Sequence, residues 1–399
     1  MAALSPDQTP WAAREGFDAL VAALGEADMR VVGGAVRDTL LGLPVADLDV
    51  ATRHRPEEVV RRLKAADIRA VPTGIAHGTV TAVLPGGPVE VTTLRRDVAT
   101  DGRHATVAFS DDWREDAARR DFTINALYAD PVSGELYDHF GGLDDLAAGR
   151  VRFIGNPLAR IAEDHLRILR FFRFLARFGD TPDAEGLAAC TARARDLMAL
   201  SRERIADELL KLLVARGAVQ VVALMIERAI LAPVLPEITV EGADRLAALA
   251  EAEGQTETPP HAIRRLAALI PSDPAVARDI GARLRLSNVQ RKRLESAVLP
   301  VAEDAHALAY RIGHDEAVDR LLLAGRPVDA LAGWTPPRFP LTGGALIAQG
   351  LSKGPVVAAT LKAIEDRWVA EGFPGEMRLE ALTAEAIDQA LSEDNNRSA

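Results

Sequence analysis

The chain has 399 residues, enough for two or three domains at roughly 150 residues each. Hydrophobic residues make up 48% and charged residues 26%, which excludes wholesale disorder. The net charge of −11 excludes a basic nucleic-acid coat, and the single cysteine, Cys190, excludes an internal disulfide and a Cys-rich zinc site.

In chain order, residues 1–11 carry no basic stretch ahead of an apolar core, so no signal peptide is expected. No apolar run approaches about 18 residues, so no membrane span is expected and a reducing, cytoplasmic setting is the default. Residues 10–24 read as an amphipathic helix. Residues 29–32 form a short apolar run that stops at Gly33-Gly34, and 48–51 form another. Residues 68–71, 78–84 and 89–94 read as strands, the last two joined in a hairpin by Pro85-Gly86-Gly87-Pro88. Residues 95–112 are polar and aperiodic and read as a mobile loop, and 123–130 as a further strand. An α/β region therefore ends near residue 150. Beyond Pro157 the pattern is helical over 159–178, 203–216 and 218–228, with Ser201 placed as an N-cap. Weaker helical patterns cover 241–252, 261–270, 274–296, 303–324 and 355–370. Residues 393–399 are polar and expected to fray. The fold class is thus an α/β head with a mixed sheet, followed by an all-α neck, body and tail. The expected divisions are 1–150, 151–228 and 229–399.

Residues 31–52 read VVGGAVRDTLLGLPVADLDVAT. A strand enters Gly33-Gly34 and a helix leaves it. Its N-terminal N–H groups and partial positive charge suit a phosphate, with Arg37 as a second contact. Asp47 and Asp49, two apart on a strand, share one face while Leu48 and Val50 point to the core. Two neighbouring carboxylates repel unless a cation lies between them, so the pair has the look of a Mg²⁺ site. A dinucleotide-binding turn fits poorly, because the third glycine of that motif is absent.

Residues 115–127 read EDAARRDFTINAL, and 163–177 read EDHLRILRFFRFLAR. From residue 150 to 177 there are seven arginines against two acids, a local reversal that suits a polyanion. On one continuous helix Asp164 and Arg167 would share a face, Arg170 would sit at its margin, and Arg173 would lie nearly opposite. On that geometry the four could not all serve one small ligand. A carboxylate beside a guanidinium matches cytosine and adenine, which present an exocyclic amine next to a ring-nitrogen acceptor. Guanine and uracil present a carbonyl there instead.

Together these stretches resemble the nucleotidyltransferase head of the DNA-polymerase-β superfamily, and more closely the class II tRNA nucleotidyltransferase and bacterial poly(A) polymerase family. The resemblance covers about residues 29–215, with a weaker echo at 340–370. It implies a metal site of two Mg²⁺ ions on Asp47 and Asp49, and nucleotide binding by Gly33, Gly34, Arg37, Arg120, Asn125, Asp164, Arg167, Arg170 and Arg173. It leaves Asp121 as either a third catalytic acid or a sugar contact. Residues 202–213, RERIADELLKLL, resemble a further family element, in which Arg202 and Arg204 are candidates for phosphate or for pinning the neck. GGLDDL at 141–146 takes a linking role.

Residues 73–79, TGIAHGT, resemble the tRNA CCA-adding group, and 94–109 resemble the flexible loop of full CCA-adding enzymes. The resemblance therefore implies template-independent addition of CMP, CMP and AMP to the tRNA 3′ acceptor end, from CTP and ATP. A poly(A) polymerase and a catalytically idle RNA-binding relative stay open as alternatives. Arg283, Arg285, Arg291, Lys292 and Arg293 form a basic run that is a candidate tRNA patch in the helical part. His314-Asp315 reads as a surface pair.

Overall fold

The computed structural model describes residues 3–5, 8–75, 78–100 and 105–398, which fall into two compact units, Met1–Pro236 and Glu237–Ala399. The first unit opens with α1 (Phe17–Leu24), β1 (Met29–Val32), α2 (Gly34–Leu40), β2 (Asp49–Thr52) and α3 (Pro56–Ala65). It continues through β3 (Arg69–Gly74), β4 (Thr79–Leu84) and β5 (Gly87–Thr93). A two-stranded ribbon, β6 (Arg95–Thr100) and β7 (Ala105–Phe109), leads to α4 (Trp113–Ala118). β8 (Leu127–Ala129) and β9 (Leu136–Asp138) complete a seven-stranded sheet of order β3-β4-β5-β2-β1-β8-β9. The sheet is mixed: β2 runs parallel to β5 and the other neighbours are antiparallel.

Strand alternation gives the sheet two unlike faces. Val31, Val50, Val80, Ala82, Val89 and Val91 lie on one face and are buried, with α3 packed across β3, β4 and β5. Each buried valine contributes about 1.5–3 kcal/mol relative to exposure. The other face carries Arg30, Val32, Asp49, Ala51 and Glu90. There α4 lays Trp113 and Ala117 over Val32 and Ala51, leaving Asp49 beyond the edge of that cover.

Three expectations for this region change. The helix expected over 10–24 begins only at Phe17, after Gly16 at φ 85°. Residues 95–112 hold the β6–β7 ribbon, although 101–104 lie outside the described residues. The strand expected over 123–130 is a short 3₁₀ turn, Thr123–Asn125, followed by β8.

The remainder of this unit comprises α5 (Gly142–Ala147), β10 (Arg150–Val151), α6 (Pro157–Glu163), α7 (Arg167–Phe178) and β11 (Thr181–Pro182). α8 (Ala184–Ala192), α9 (Arg202–Leu213) and α10 (Ala218–Glu227) follow. The helix expected over 159–178 is broken at Asp164. Asp164 is extended (φ −148°, ψ 107°), and its Oδ1 accepts from the Leu166 backbone N–H at 3.0 Å. A side chain that captures a nearby N–H offers the backbone an alternative to the helix, and here it wins. α7 buries Ile168, Leu169, Phe171, Phe172 and Leu175, while Arg167, Arg170 and Arg173 on its other side are half-buried.

The second unit is helical among its described residues: α11 (Val240–Gln255), α12 (Ala262–Leu269), α13 (Pro274–Arg283), α14 (Asn288–Ala297), α15 (Ala305–Ile312) and α16 (His314–Leu323) come first. α17 (Gly343–Ala348), α18 (Pro355–Ala370) and α19 (Glu376–Ser398) close it. The helix expected over 274–296 is split, because Arg285 turns to φ 52° and Ser287 starts α14 with a capping box. That over 303–324 is split at Gly313, φ 88°. The tail expected to fray is helical to Ser398, and Ala399 lies outside the described residues. A buried charge cluster ties four helices: Arg264 pairs with Glu253 and Asp319, Arg265 with Glu253, and Arg293 with Asp319. Among the described residues no helix is long and apolar enough to cross a membrane.

Candidate active site

The twelve residues expected to hold the metal and the nucleotide line one cavity of about 600 Å³ in the first unit, together with Arg119 and Phe174. The glycine turn forms one wall. Gly33 sits at φ 71°, where a side chain is strained, and its N–H donates to the Leu127 carbonyl at 3.0 Å. Arg37, one turn into α2, is buried. Its Nε and one terminal nitrogen donate to Asp38, and the other terminal nitrogen donates to Asn125 Oδ1. The Phe178 ring lies 4.1 Å from the guanidinium. Arg37, expected as a phosphate contact, therefore has every guanidinium nitrogen committed inside the protein.

Asn125 passes the connection on, donating from Nδ2 to Asp121 Oδ1 at 3.0 Å. Asp121 also accepts from the Phe122 N–H, and its Oδ2 pairs with Arg170 at 2.6 Å. Burial alone would raise the Asp121 carboxyl, but Arg170 and these donors outweigh it and hold it below the usual carboxylate range. Asp121 is thus clamped to α7. Among the described residues no three acidic, histidine or cysteine side chains gather as a metal set, so Asp47 and Asp49 stand as a pair.

That pair sits where β2 begins. Leu48 and Val50 are buried on the far side, which turns both carboxylates to the cavity. Burial, then the neighbouring Glu90, pushes the Asp49 carboxyl above its ordinary value, with Arg120 opposing. A hard divalent cation fits this donor set. Such an ion is commonly held by one or two carboxylates, with substrate phosphates and water completing the shell.

Arg120 is set by Asp116, whose carboxylate is 1% exposed. It accepts from Arg120 at 3.0 Å, Arg119 Nε at 2.8 Å and the Tyr128 hydroxyl at 2.8 Å. Burial opposes ionisation of Asp116, but the two arginines hold it well below its ordinary value. Arg160 braces the C-terminal end of α4 by donating to the Arg119 and Arg120 carbonyls.

Asp164, Arg167, Arg170 and Arg173 reach one cavity, against the continuous-helix geometry. Asp164 precedes α7, so the three arginines alone need share a face, and over six helical residues they span about 120°. Asp164 and Arg167 do not pair with each other. Asp164 pairs with Arg204 of α9 at 2.8 Å, and Arg167 pairs with Glu163 and donates to the Arg160 carbonyl. Arg173 pairs with the buried Glu208 of α9.

A zebrafish (Danio rerio) protein named mitochondrial CCA tRNA nucleotidyltransferase 1 is 36% identical over 371 residues, covering 86% of this chain and 83% of that protein. The chain belongs to the CCA tRNA nucleotidyltransferase family. The human protein of that name is 33% identical over 87% of this chain and 84% of its own length. A Poly A polymerase head domain model matches residues 29–152. A model described as a probable RNA and SrmB-binding site of polymerase A matches 181–241. The structure is similar to that of the Bacillus stearothermophilus CCA-adding enzyme in complex with CTP, with TM-score 0.75 and 26% identity over 95% of this chain and 99% of that one. It shares its fold with the Thermotoga maritima CCA-adding enzyme complexed with tRNA, with TM-score 0.70 over 98% and 100% of the two chains. Of segment 73–79, which resembles the CCA-adding group, Ala76 and His77 lie outside the described residues.

Sequence reasoning missed Glu90, Asp116, Arg160, Glu163 and Glu208. Glu90 carried a signal: in Val89-Glu90-Val91 it is the outward residue between two core valines, as Asp49 is between Leu48 and Val50. The two are register partners across the β2–β5 pair. Asp116 and Glu163 carried a weaker signal, lying three or four residues from the arginines they pair with, whereas Glu208 and the bonds from Arg160 to the Arg119 and Arg120 carbonyls carried none, because those partners are set by tertiary packing. The basic run in the second unit is partly consumed: Arg283 pairs with Glu237 at 2.7 Å and Arg293 with Asp319 at 2.6 Å. His314 and Asp315 are an exposed pair.

Proposed function

We propose that this chain adds CMP, CMP and AMP to the 3′ end of tRNA without a nucleic-acid template, consuming CTP and ATP and releasing pyrophosphate. The observation that carries the proposal is the meeting, in one cavity, of the Asp47–Asp49 pair with Arg120 and with the Asp164–Arg173 stretch. Asp47 and Asp49 would hold Mg²⁺, two ions by the family's resemblance, and the metal would polarise the α-phosphate and make the tRNA 3′-hydroxyl easier to ionise. The hydroxyl then attacks the α-phosphorus in line, and the bond to pyrophosphate breaks.

The chain's own residues do the positioning. Gly33 and Gly34 allow the triphosphate to approach the backbone, and Arg120, held by Asp116, neutralises part of its charge. Arg37 and Asn125 hold the glycine turn against Asp121 and α7 rather than gripping phosphate directly. Asp164 accepts the exocyclic amine of cytosine or adenine, and Arg167, with Arg170 and Arg173 beside it, supplies donors to the ring nitrogen. Residues 1–150 and 151–228 handle the nucleotide in this reading, and 229–399 hold the acceptor arm by its shape and phosphates. The cytoplasm is the proposed setting, on the sparing use of cysteine in this chain, with Cys190 alone.

The test supplies the protein and Mg²⁺ with three tRNAs, one lacking CCA, one ending in C and one ending in CC. CTP and ATP are given separately and together, and the products are sequenced. Addition that completes CCA and stops is the expected result. A run of A on any RNA end would make the chain a poly(A) polymerase, and no incorporation would make it an idle relative.

A further inference from the structure

A carboxylate that tells cytosine from uracil must be held in direction as well as in place. Cytosine presents a donor at its exocyclic amine and an acceptor at the neighbouring ring nitrogen. Uracil presents the reverse, a carbonyl and then a ring N–H. A carboxylate fixed opposite the exocyclic position therefore accepts from cytosine and meets an unpaired oxygen on uracil. One free to slide toward the ring position finds the uracil N–H and loses the distinction.

The element that fixes Asp164 is α9. Asp164 has left the helix, and its backbone is extended, so no helical neighbour constrains its side chain. Its Oδ1 is taken by the Leu166 N–H at 3.0 Å and its Oδ2 by Arg204 at 2.8 Å. Arg167, the nearest arginine in sequence, is engaged elsewhere, with Glu163 and the Arg160 carbonyl. One turn beyond Arg204, Glu208 is 4% exposed, pairs with Arg173 and lies 3.6 Å from Arg170. One face of α9 thus sets a cation against the acid of the cleft and an acid against its cations.

We infer that Arg204 is a specificity-determining positioning residue, which fixes the Asp164 carboxylate toward the exocyclic amine of the incoming nucleotide. This rests on the proposed reading role of Asp164. Arg204 acts through Asp164 and not on the triphosphate. With Arg204 present, each carboxylate oxygen accepts one hydrogen bond inside the protein, and the two together fix the direction of the group. Without it, the Leu166 N–H is the sole remaining tether, and the carboxylate can turn about it.

The experiment uses the full chain, a tRNA lacking CCA and one ending in CC, and compares kcat/KM for CTP against UTP and for ATP against GTP. Arg204→Gln is expected to lower the CTP-over-UTP preference by about tenfold, the effect of one lost charge-assisted hydrogen bond. The fall in CTP use should be borne mainly by KM. Arg204→Lys, which retains a cation, should recover most of the preference with the melting temperature of the parent, and it carries the test if the Gln variant fails to fold. Asp164→Asn should abolish the preference. An Arg204→Gln variant that slows CTP and UTP incorporation equally, while Asp164→Asn still collapses the preference, would overturn the role of Arg204 alone. A preference that survives Asp164→Asn would overturn the base-reading role of Asp164, and the inference with it.

Discussion

Asp116→Asn is the substitution that most directly separates the framework of the cavity from its chemistry. The Asp116 carboxylate is 1% exposed and counters two arginines, Arg119 at 2.8 Å and Arg120 at 3.0 Å, while accepting from the Tyr128 hydroxyl. Asparagine keeps the shape, removes the charge and turns an amide N–H₂ toward groups that donate. Removing one partner of a buried pair costs about 3–5 kcal/mol. The Arg119 and Arg120 side chains are 16% and 19% exposed, so water restores part of their solvation, and the lower end, about 3 kcal/mol, applies. For a unit of this length, Met1–Pro236, that corresponds to a fall of roughly 6–12 °C in its melting temperature. Calorimetry of the full chain measures it, with the transition of the second unit as internal reference. The loss should also depend on pH. The folded carboxyl lies below its ordinary 3.8, so the stabilisation it contributes is fully present above 3.8 and is lost as pH falls through the folded value. Parent and variant should therefore differ by a constant amount near neutrality and converge in strong acid. In the nucleotide assay KM should rise for CTP and ATP alike, because Arg120 serves the part the two share. A variant with parental melting and parental KM for both nucleotides would refute the reasoning.

Asp49→Asn should abolish nucleotide incorporation without lowering the melting temperature, since burial and Glu90 already disfavour its charge; a destabilised variant would contradict the like-charge reading. Glu90→Gln should raise the Mg²⁺ concentration needed for half-maximal incorporation, because a cation at Asp47 and Asp49 loses a neighbouring negative charge; a metal titration checks this. Gly33→Ala should cost about 1–3 kcal/mol, because φ 71° with ψ −120° lies outside the left-handed region that a side chain tolerates, read by urea unfolding, and should weaken nucleotide binding. Asp319→Ala leaves Arg264 and Arg293 without that counter-ion in the second unit and should lower that unit's melting while leaving the CTP-over-UTP preference unchanged.

The sheet strands were largely legible because each is a short apolar run bounded by glycine, proline or charge. β1 falls where Met29 to Val32 predicts, and the β4–β5 hairpin follows from its proline–glycine turn. The ribbon at 95–109 was not, because its pairing, and not an apolar face, makes it a strand pair. The long helical patterns were legible in their middles and misread at their interruptions. Asp164, Arg285 and Gly313 each stop a helix by a local event: a side chain that captures a backbone N–H, a residue turned to positive φ, and a glycine. None of these disturbs the apolar periodicity on either side, so the pattern alone runs straight through them.

What the sequence determined by itself is the set of groups: the glycine turn, the Asp47–Asp49 pair, the Arg120–Asn125 stretch and the arginine-rich helix, whose residue types and spacings carry chemistry wherever they are placed. What only the tertiary structure decided is which of those groups stay available. Arg37 and Asp121 are absorbed into a chain of hydrogen bonds, Asp164 is paired with Arg204 rather than Arg167, and Glu90 stands beside Asp49 across a parallel strand pair. The physical reason is reach. A hydrogen bond or ion pair forms between atoms about 3 Å apart, and the partners here lie up to 49 residues apart in the pairing of Asp121 with Arg170 and 88 apart in that of Arg37 with Asn125. Periodicity and spacing report neighbours on one element, and partners brought together from different elements by the core leave no mark in either.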